Sequence, residues 1–503
     1  MSSSNVEQQN DTVEAATTSQ WLPGKEKEQN PQLHNFALVD RSIQQIGLGR
    51  YQWRMFLTCG FGFFLDSMLP ASVGIVLPQI VKQWSVKYPS MILLPGGVGA
   101  LLGALLCGMF ADFVGRIVIW RCSLLLVAVF TLTAAASPNF TVLSVFLGLQ
   151  TLAAGGNFAV DLAVFAEMLP KGKGYMITAI TSWSSVGVAL GGYLAWPLIT
   201  FYSCPQYSTP QTCRNSDNMG WRYQYVLIGG LSLIAALIRI FVMKMEESPK
   251  WLVAMGRFDD AVVILKKMAT VNRTLVDISP QDFQPITVIT TAESHNVSHL
   301  ALIKRLFANR KLAYSTSGIL LLWMCKGIAT PLYGIYLPIY LQNNGAKLGN
   351  GSTFQTYRDY AISNTVAILA PIFATAIIDF PVIGRRRGVA ITAACAAAFC
   401  GGFTSVRTAG ANIAFSSMVS FWQTACYAMV FSYTPEVMPT ASRATGCGLA
   451  FACGRLAFLA APFIATFGDL KTSVPLWVVF GLLGLIAVTA LSLPYEPKDF
   501  PED

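Results

Sequence analysis

Runs of apolar residues long enough to cross a bilayer core as a helix, about twenty residues each, recur twelve times along this chain. They fall at 55–80, 91–111, 117–137, 142–166, 175–198 and 222–243. After a polar stretch from 244 to 310, six more follow at 312–341, 357–379, 388–406, 412–435, 444–466 and 473–493. Inside lipid every backbone N–H and C=O must be satisfied within the protein, so each run is read as a helix. Composition agrees: 53% of the 503 residues are hydrophobic and 12% are charged, about half the charged share of a soluble domain. The fold class is an all-α membrane protein of twelve transmembrane helices.

Charge sets the expected orientation. Arg116, Arg121, Lys171, Lys173, Arg385, Arg386, Arg387 and Arg443, with the basic residues of 244–310, fall in loops on one face. The opposite loops hold few: Lys82, Lys87, Arg214, Lys347 and Lys471. The positive-inside rule makes the first set cytosolic, with both termini on that side. The net charge, 35 − 26 = +9, is then a topology signal and implies no nucleic-acid partner. Residues 1–50 are polar and read as a disordered cytosolic tail, ending in a short amphipathic lead-in with Arg41, Arg50 and Arg54. They hold no apolar core of a signal peptide, so the first apolar segment is expected to act as the targeting signal. Residues 496–503 form a second short tail. Of the sequons at 139, 272, 296 and 350, Asn350 faces outside and is the glycosylation candidate. Asn139 lies close to the membrane, and Asn272 and Asn296 fall on the cytosolic side. Cys204 and Cys213 share an outside loop and are either disulfide-bonded or free thiols.

An internal repeat divides the chain. Arg116, Glu167 and Pro170 recur as Arg385, Glu436 and Pro439, each at an offset of 269 residues, as 385 − 116, 436 − 167 and 439 − 170. The expected architecture is therefore two pseudo-symmetric six-helix bundles, 51–243 and 311–495, joined by a linker of short helices at 244–310. Repeats of this kind place a solute site at the membrane midplane between the halves.

The motifs GMFADFVGR at 108–116, DFPVIGRRR at 379–387, EESPKWLVAMGRFDDA at 246–261 and YTPEVMPTASRATGCG at 433–448 carry a family resemblance. With them the chain resembles the major facilitator superfamily over 51–495. The last two motifs look like the sugar-porter branch. GGNFAVDLAVFAEMLP at 155–170, FGFFLDSM at 61–68 and GWRYQYV at 220–226 look closer to the synaptic-vesicle-protein-related branch and the phosphate:proton symporters. The resemblance implies a monomeric secondary transporter of small, often anionic solutes. Segment seven, LLWMCKGIATPLYGIYLPIYLQ, lacks the sugar porters' Gln-Leu-Ser signature, which argues against a hexose. Segment five, SVGVALGGYLAWPL, matches the drug:proton antiporter motif imperfectly. The resemblance also implies that Asp112, Arg116 and Glu167 meet at the cytosolic face of the first half, and Asp379, Arg385 and Glu436 at that of the second. There they would latch the outward-open state.

Charged side chains deep in apolar segments are expensive and mark function or pairing. Asp161 is such a residue, with Asn157 one turn before it on the same helical face. Asp66 is another, in segment one. These two carboxylates are the proton-coupling candidates. Lys326 lies near the middle of segment seven and Arg455 is similarly deep in segment eleven. They either hold an anionic substrate or neutralise Asp66 and Asp161 across the interface, since buried charges are usually paired. Asn157, Trp183, Tyr333, Gln423 and Tyr427 complete the substrate-binding candidates. An aromatic-polar cavity favours a planar organic solute. The leading expectation is proton-coupled uptake of a small organic anion, such as an aromatic carboxylate, at the plasma membrane. Efflux of a drug-like metabolite, sugar transport and a non-transporting sensor are the alternatives. An enzyme is not expected. The histidines, His34, His295 and His299, lie in polar regions, and there is no CxxC pair, nucleophile elbow or phosphate-binding glycine loop. No cofactor and no metal are implied.

Overall fold

The computed structural model describes residues 31–114, 116–170, 172–205, 208–241, 245–285, 303–304, 306–347, 352–378, 380, 383–438, 443–468 and 472–496. Within these, the side chains of 32, 33, 108, 109, 111–114, 116, 158, 159, 163, 343–347, 443 and 444 are not among those described. The described chain is helical, with no strand. Before the bundle comes α1 (Pro31–Ile46). The first half is α2 (Arg50–Gln83), α3 (Leu93–Val114), α4 (Arg116–Ala135), α5 (Phe140–Glu167), α6 (Tyr175–Tyr202) and α7 (Gly220–Phe241). The linker carries α8 (Pro249–Ala254) and α9 (Phe258–Asn272). The second half is α10 (Arg310–Lys347), α11 (Thr353–Val366), α12 (Leu369–Ile378), α13 (Gly384–Phe403), α14 (Ala409–Glu436), α15 (Arg443–Phe458), α16 (Ala460–Phe467) and α17 (Val474–Ser492).

Helices occupy all twelve expected segments. Ten spans are long and apolar enough on their own to cross a membrane. The other two are α13 and α14. The first is rich in glycine and alanine and begins with three arginines, and the second carries serines, an asparagine and a glutamine. Both bury much of their surface inside the second bundle, where small and polar residues pack without meeting lipid. Segments eight and eleven are each broken into two helices. Pro371 lies four residues after Ala367, and Pro462 four after Phe458. A proline ring clashes with the carbonyl four residues back and removes a ladder donor, and α11 and α15 stop at those positions.

Glycines let the first bundle close. Gly99 and Gly103 are one turn apart on α3 and face α5. A Cβ at Gly103 would lie 2.0 Å from the Leu152 carbonyl oxygen, and one at Gly99 would lie 2.1 Å from that of Gly148. Gly103→Ala should therefore push the helices apart at a cost of about 1–3 kcal/mol. The unfolding midpoint in detergent reads this. An unchanged midpoint would show that the α3–α5 contact is not tight.

The halves meet above and below a central space. On the face that holds the 204–213 loop, Gly74 of α2 crosses α10 closely enough that a Cβ would sit 3.1 Å from the Gly334 oxygen. There Gln79 Nε2 donates to the Tyr357 hydroxyl (3.3 Å), which donates to the Ile75 carbonyl (3.0 Å). Trp196 packs edge-on against Phe354 at 5.1 Å. Toward the linker face, Phe63 meets Phe431 edge-on at 6.5 Å. Cys204 and Cys213 are joined by a disulfide, with Cα atoms 5.8 Å apart. The Asn139 side chain is an N-cap, accepting from Val142 N–H at 2.9 Å. Asn350 lies outside the described residues.

The described part of the N-terminal region holds the expected amphipathic lead-in, which reaches back to Pro31. From Pro31 the chain is a helix whose residues Val39, Ile43 and Ile46, one stripe at helical spacing, are buried. Asp40 pairs with Lys250 of α8 at 2.6 Å. Asn35 exchanges two 2.9 Å hydrogen bonds with the Gln284 backbone. Asn272, at the end of α9, accepts from Tyr51 N–H (2.8 Å) and donates to Gln52 Oε1 (2.8 Å). The linker helices are thus fastened to the start of α2.

Candidate functional site

A cavity of about 500 Å³ lies between the halves, within the range of small-ligand sites. From the first half α2 contributes Asp66 and Ser67, and α6 contributes Ser184 and Ser185. From the second, α10 contributes Trp323, Lys326 and Tyr333, α14 contributes Ser420, Gln423 and Tyr427, and α15 contributes Phe451 and Arg455. The helix breaks described above open onto it, since Ala367 and Phe458 are both lining residues.

The charges of the first half form a layered cluster. Asp161 is fully buried, and its Oδ2 pairs with Arg239 Nη2 of α7 at 3.0 Å. Its Oδ1 accepts from Trp120 Nε1 at 2.6 Å. The Arg239 guanidinium stacks on the Trp120 ring, 4.3 Å from its centroid. Arg239 Nη1 donates to Asn157 Oδ1 at 2.5 Å, and Asn157 Nδ2 donates to Asp66 Oδ2 at 2.7 Å. Gly62 of α2 seals the pair from the other side, because a Cβ there would lie 1.8 Å from Asp161 Oδ2. Asp161 and Asn157 are therefore behind the cavity wall, and Asp66 is the carboxylate that reaches the wall. Among the described residues its Oδ1 has no hydrogen-bond partner.

The second half supplies cations. Lys326 is 3% exposed and donates to the Gln423 carbonyl at 2.8 Å. Its ammonium lies 5.9 Å from the Tyr427 ring centroid. Among the described residues no carboxylate lies within ion-pair distance of it. Arg455 Nη1 donates across the interface to the Ala100 carbonyl of α3. A Cβ on the neighbouring Gly155 would sit 3.0 Å from the same nitrogen. Beneath Lys326 toward the linker face lies an aromatic cluster. Trp323 meets Phe451 at 4.7 Å, and Phe451 stacks on Phe431 at 5.7 Å.

Of the sequence candidates, Asp66, Lys326, Tyr333, Gln423, Tyr427 and Arg455 line one cavity. Asn157 and Asp161 stand behind it, and Trp183 packs into the first bundle against Gly60. The neutralisation of Asp161 comes from Arg239 within its own half, and neither Lys326 nor Arg455 pairs with it. Arg239 and Trp120 were not anticipated. Arg239 continues the buried stripe Tyr225, Ile228, Ser232 and Ala236 of α7, and that periodicity is the signal that marks it.

At the linker face, Arg385 Nε pairs with Glu436 Oε2. Glu496 accepts from the N–H groups of Arg385 (2.6 Å) and Arg386 (3.3 Å), so it caps α13. Gly384 adopts φ +60° and abuts Glu496, so only glycine fits there without strain. In the first half Glu167 accepts from Ser248 Oγ, and Glu247 Oε2 accepts from Ile117 N–H at 3.3 Å. Asp379 and the side chains of Asp112 and Arg116 lie outside the described residues.

A family model described as Major Facilitator Superfamily matches residues 56–462. The MFS siderochrome iron transporter 1 of Ceriporiopsis subvermispora is 34% identical over 476 residues, covering 92% of this chain and 90% of its own length. The niacin transporter NiaP of Acinetobacter baylyi is 27% identical over 437 residues, 85% of this chain and 90% of its own. Among solved structures, the xylose transporter XylE from E. coli, in a partially occluded inward-open conformation, superposes with a TM-score of 0.64. It is 15% identical, covering 89% of this chain and 99% of that one, and this likeness shows the fold alone.

Proposed function

Because the chain belongs to the Major Facilitator Superfamily, whose members here are multi-pass membrane transporters and not enzymes, we propose that it carries a small organic anion together with a proton. The direction is uptake and the substrate class is a carboxylate, with an aromatic acid favoured. It works as a monomer in the plasma membrane, with both termini cytosolic. Lys326 carries the reading: a buried ammonium on the cavity wall, beside Tyr427, with no carboxylate partner among the described residues. An unpaired buried cation is costly, and a substrate carboxylate offsets that cost when it binds. The niacin transporter, similar along most of this chain, is named for an aromatic carboxylic acid.

Asp66 takes the proton. Its Oδ1 has no hydrogen-bond partner among the described residues, so it accepts a proton without any hydrogen bond being broken. Asp161 supports it at a distance, by holding Arg239, which orients Asn157 toward Asp66. The carrier alternates by rocking the two halves about the cavity. The Arg385–Glu436 pair and its first-half counterpart latch the linker face.

Purified protein in liposomes tests this. Aromatic monocarboxylate uptake should rise as pH on the disulfide side falls from 7.5 to 5.5, since protons drive the cycle from that side. Asp66→Asn should abolish accumulation but keep exchange of labelled for unlabelled substrate. Accumulation that ignores the proton gradient would refute symport. Preference for a ferric siderochrome or a neutral sugar over every carboxylate would refute the anion.

A further inference from the structure

Arg455 is anchored in one half and bonded to the other. Its helix is locked to α10, because a Cβ at Gly327 would lie 2.1 Å from the Gly454 carbonyl oxygen. Lys326 and Arg455 flank that crossing, and both line the cavity. The Arg455 guanidinium nevertheless reaches over to α3 and donates to the Ala100 carbonyl. Gly155 makes room for the reach, since a Cβ there would lie 2.7 Å from the Ala100 oxygen and 3.0 Å from Arg455 Nη1. The contact lies toward the disulfide face, where α3 begins. One turn nearer to that face, a Cβ at Gly97 would lie 2.6 Å from Leu459 Cδ2 and 2.8 Å from Phe458 Cδ1. To part α15 from α3 on that side is to break the Arg455 bond.

We infer that Arg455 is a pin that holds the disulfide side of the empty carrier shut, and that the substrate anion withdraws it. This rests on the anion reading above. The Ala100 carbonyl is a neutral acceptor that already serves the α3 ladder, taking the Ala104 N–H. A carboxylate is the stronger acceptor for a guanidinium, and one seated at Lys326 lies beside Arg455 on the same half. Tyr427 and Asp66 are the other titratable groups that act on Arg455. Asp66 belongs to the first half, so its pull reinforces the pin. The substrate is thus the acceptor that turns the guanidinium back toward its own half. Arg455 is a positioning residue in this step. An anion that enters from the linker face withdraws the pin, so exchange of one substrate for another outpaces the return of the empty carrier.

Hydrogen–deuterium exchange of the purified protein at pH 7.5 tests this, with benzoate and nicotinate as the probes. In the parent protein a bound probe should speed amide exchange about tenfold at the disulfide-side ends of α3 and α15, the scale of one hydrogen bond to a charged group. Arg455→Gln and Gly155→Ala should show that faster exchange without ligand, and the probe should add nothing to it. Gly155→Ala keeps both cations and frees Arg455, so by thermal stabilisation it should bind the probe more tightly than the parent does. A methyl group that only disturbed the packing at 155 would weaken binding instead. Gly103→Ala wedges the same two helices without touching Arg455 and should leave α15 as protected as in the parent. Parent-like protection in both ligand-free variants would overturn the inference, whatever the fate of the anion. So would a probe that stabilises the parent without loosening those ends. A parent stabilised by neither probe would bring down the aromatic-anion reading and the withdrawal step with it, while the ligand-free variants judge the pin separately.

Discussion

Arg239→Ala should cost the protein about 3–5 kcal/mol, the scale of leaving one partner of a buried ion pair without the other. The Asp161 carboxylate would remain at zero exposure with its cation gone and neutral donors, the Trp120 N–H among them, to hold it. Asn157 would lose its donor, and the Trp120 face its stacked guanidinium. A double variant, Arg239→Met with Asp161→Leu, removes both charges and should recover most of the loss, because a matched apolar pair is often as stable as the ion pair it replaces. Arg239→Lys should fall between, since an ammonium cannot serve two acceptors and a ring in one plane. Monodispersity and the unfolding midpoint in detergent read all three. Wild-type behaviour of the alanine variant would mean that the cluster does not hold the first half together.

Lys326→Met makes the opposite prediction for stability and a severe one for binding. An ammonium without a carboxylate partner is a cost to the empty protein, so the apo variant should unfold at a temperature equal to or above that of the parent. Anion affinity should fall by about 100-fold or more, the scale of removing one side of a buried charge contact. Substrate-induced stabilisation should vanish with it. A variant that unfolds earlier while keeping its anion response would place Lys326 among the structural residues and remove the observation on which the proposed function stands.

The apolar runs and the 269-residue offset made the helices and their pairing legible, because the bilayer leaves a spanning chain few choices. The same offset pointed to Glu436 and Arg385, which do pair. Helix rotation was much harder to read. A segment that is apolar all round has little amphipathic signal, and one residue is about 100° of turn. That is why Trp183 was a lining candidate when its neighbours Ser184 and Ser185 line the cavity. The partner of Asp161 was sought in the other half, and Arg239, near the end of its segment, was not considered. Its place on the buried stripe of α7 is what marks it. The extent of α1 was hidden for a similar reason, because three apolar residues carry little weight in a polar tail.

The bond from Arg455 to the Ala100 carbonyl has a genetic side. Its acceptor belongs to the main chain, so no codon change at position 100, short of one that moves the helix, deletes it. A suppressor hunt begun from Asp161 has a reciprocal charge to find at Arg239. One begun from Arg455 has no side chain to find at position 100, and Asp66 is the charge across the interface within its reach. Co-variation among orthologues would leave this contact silent even though it ties one half to the other.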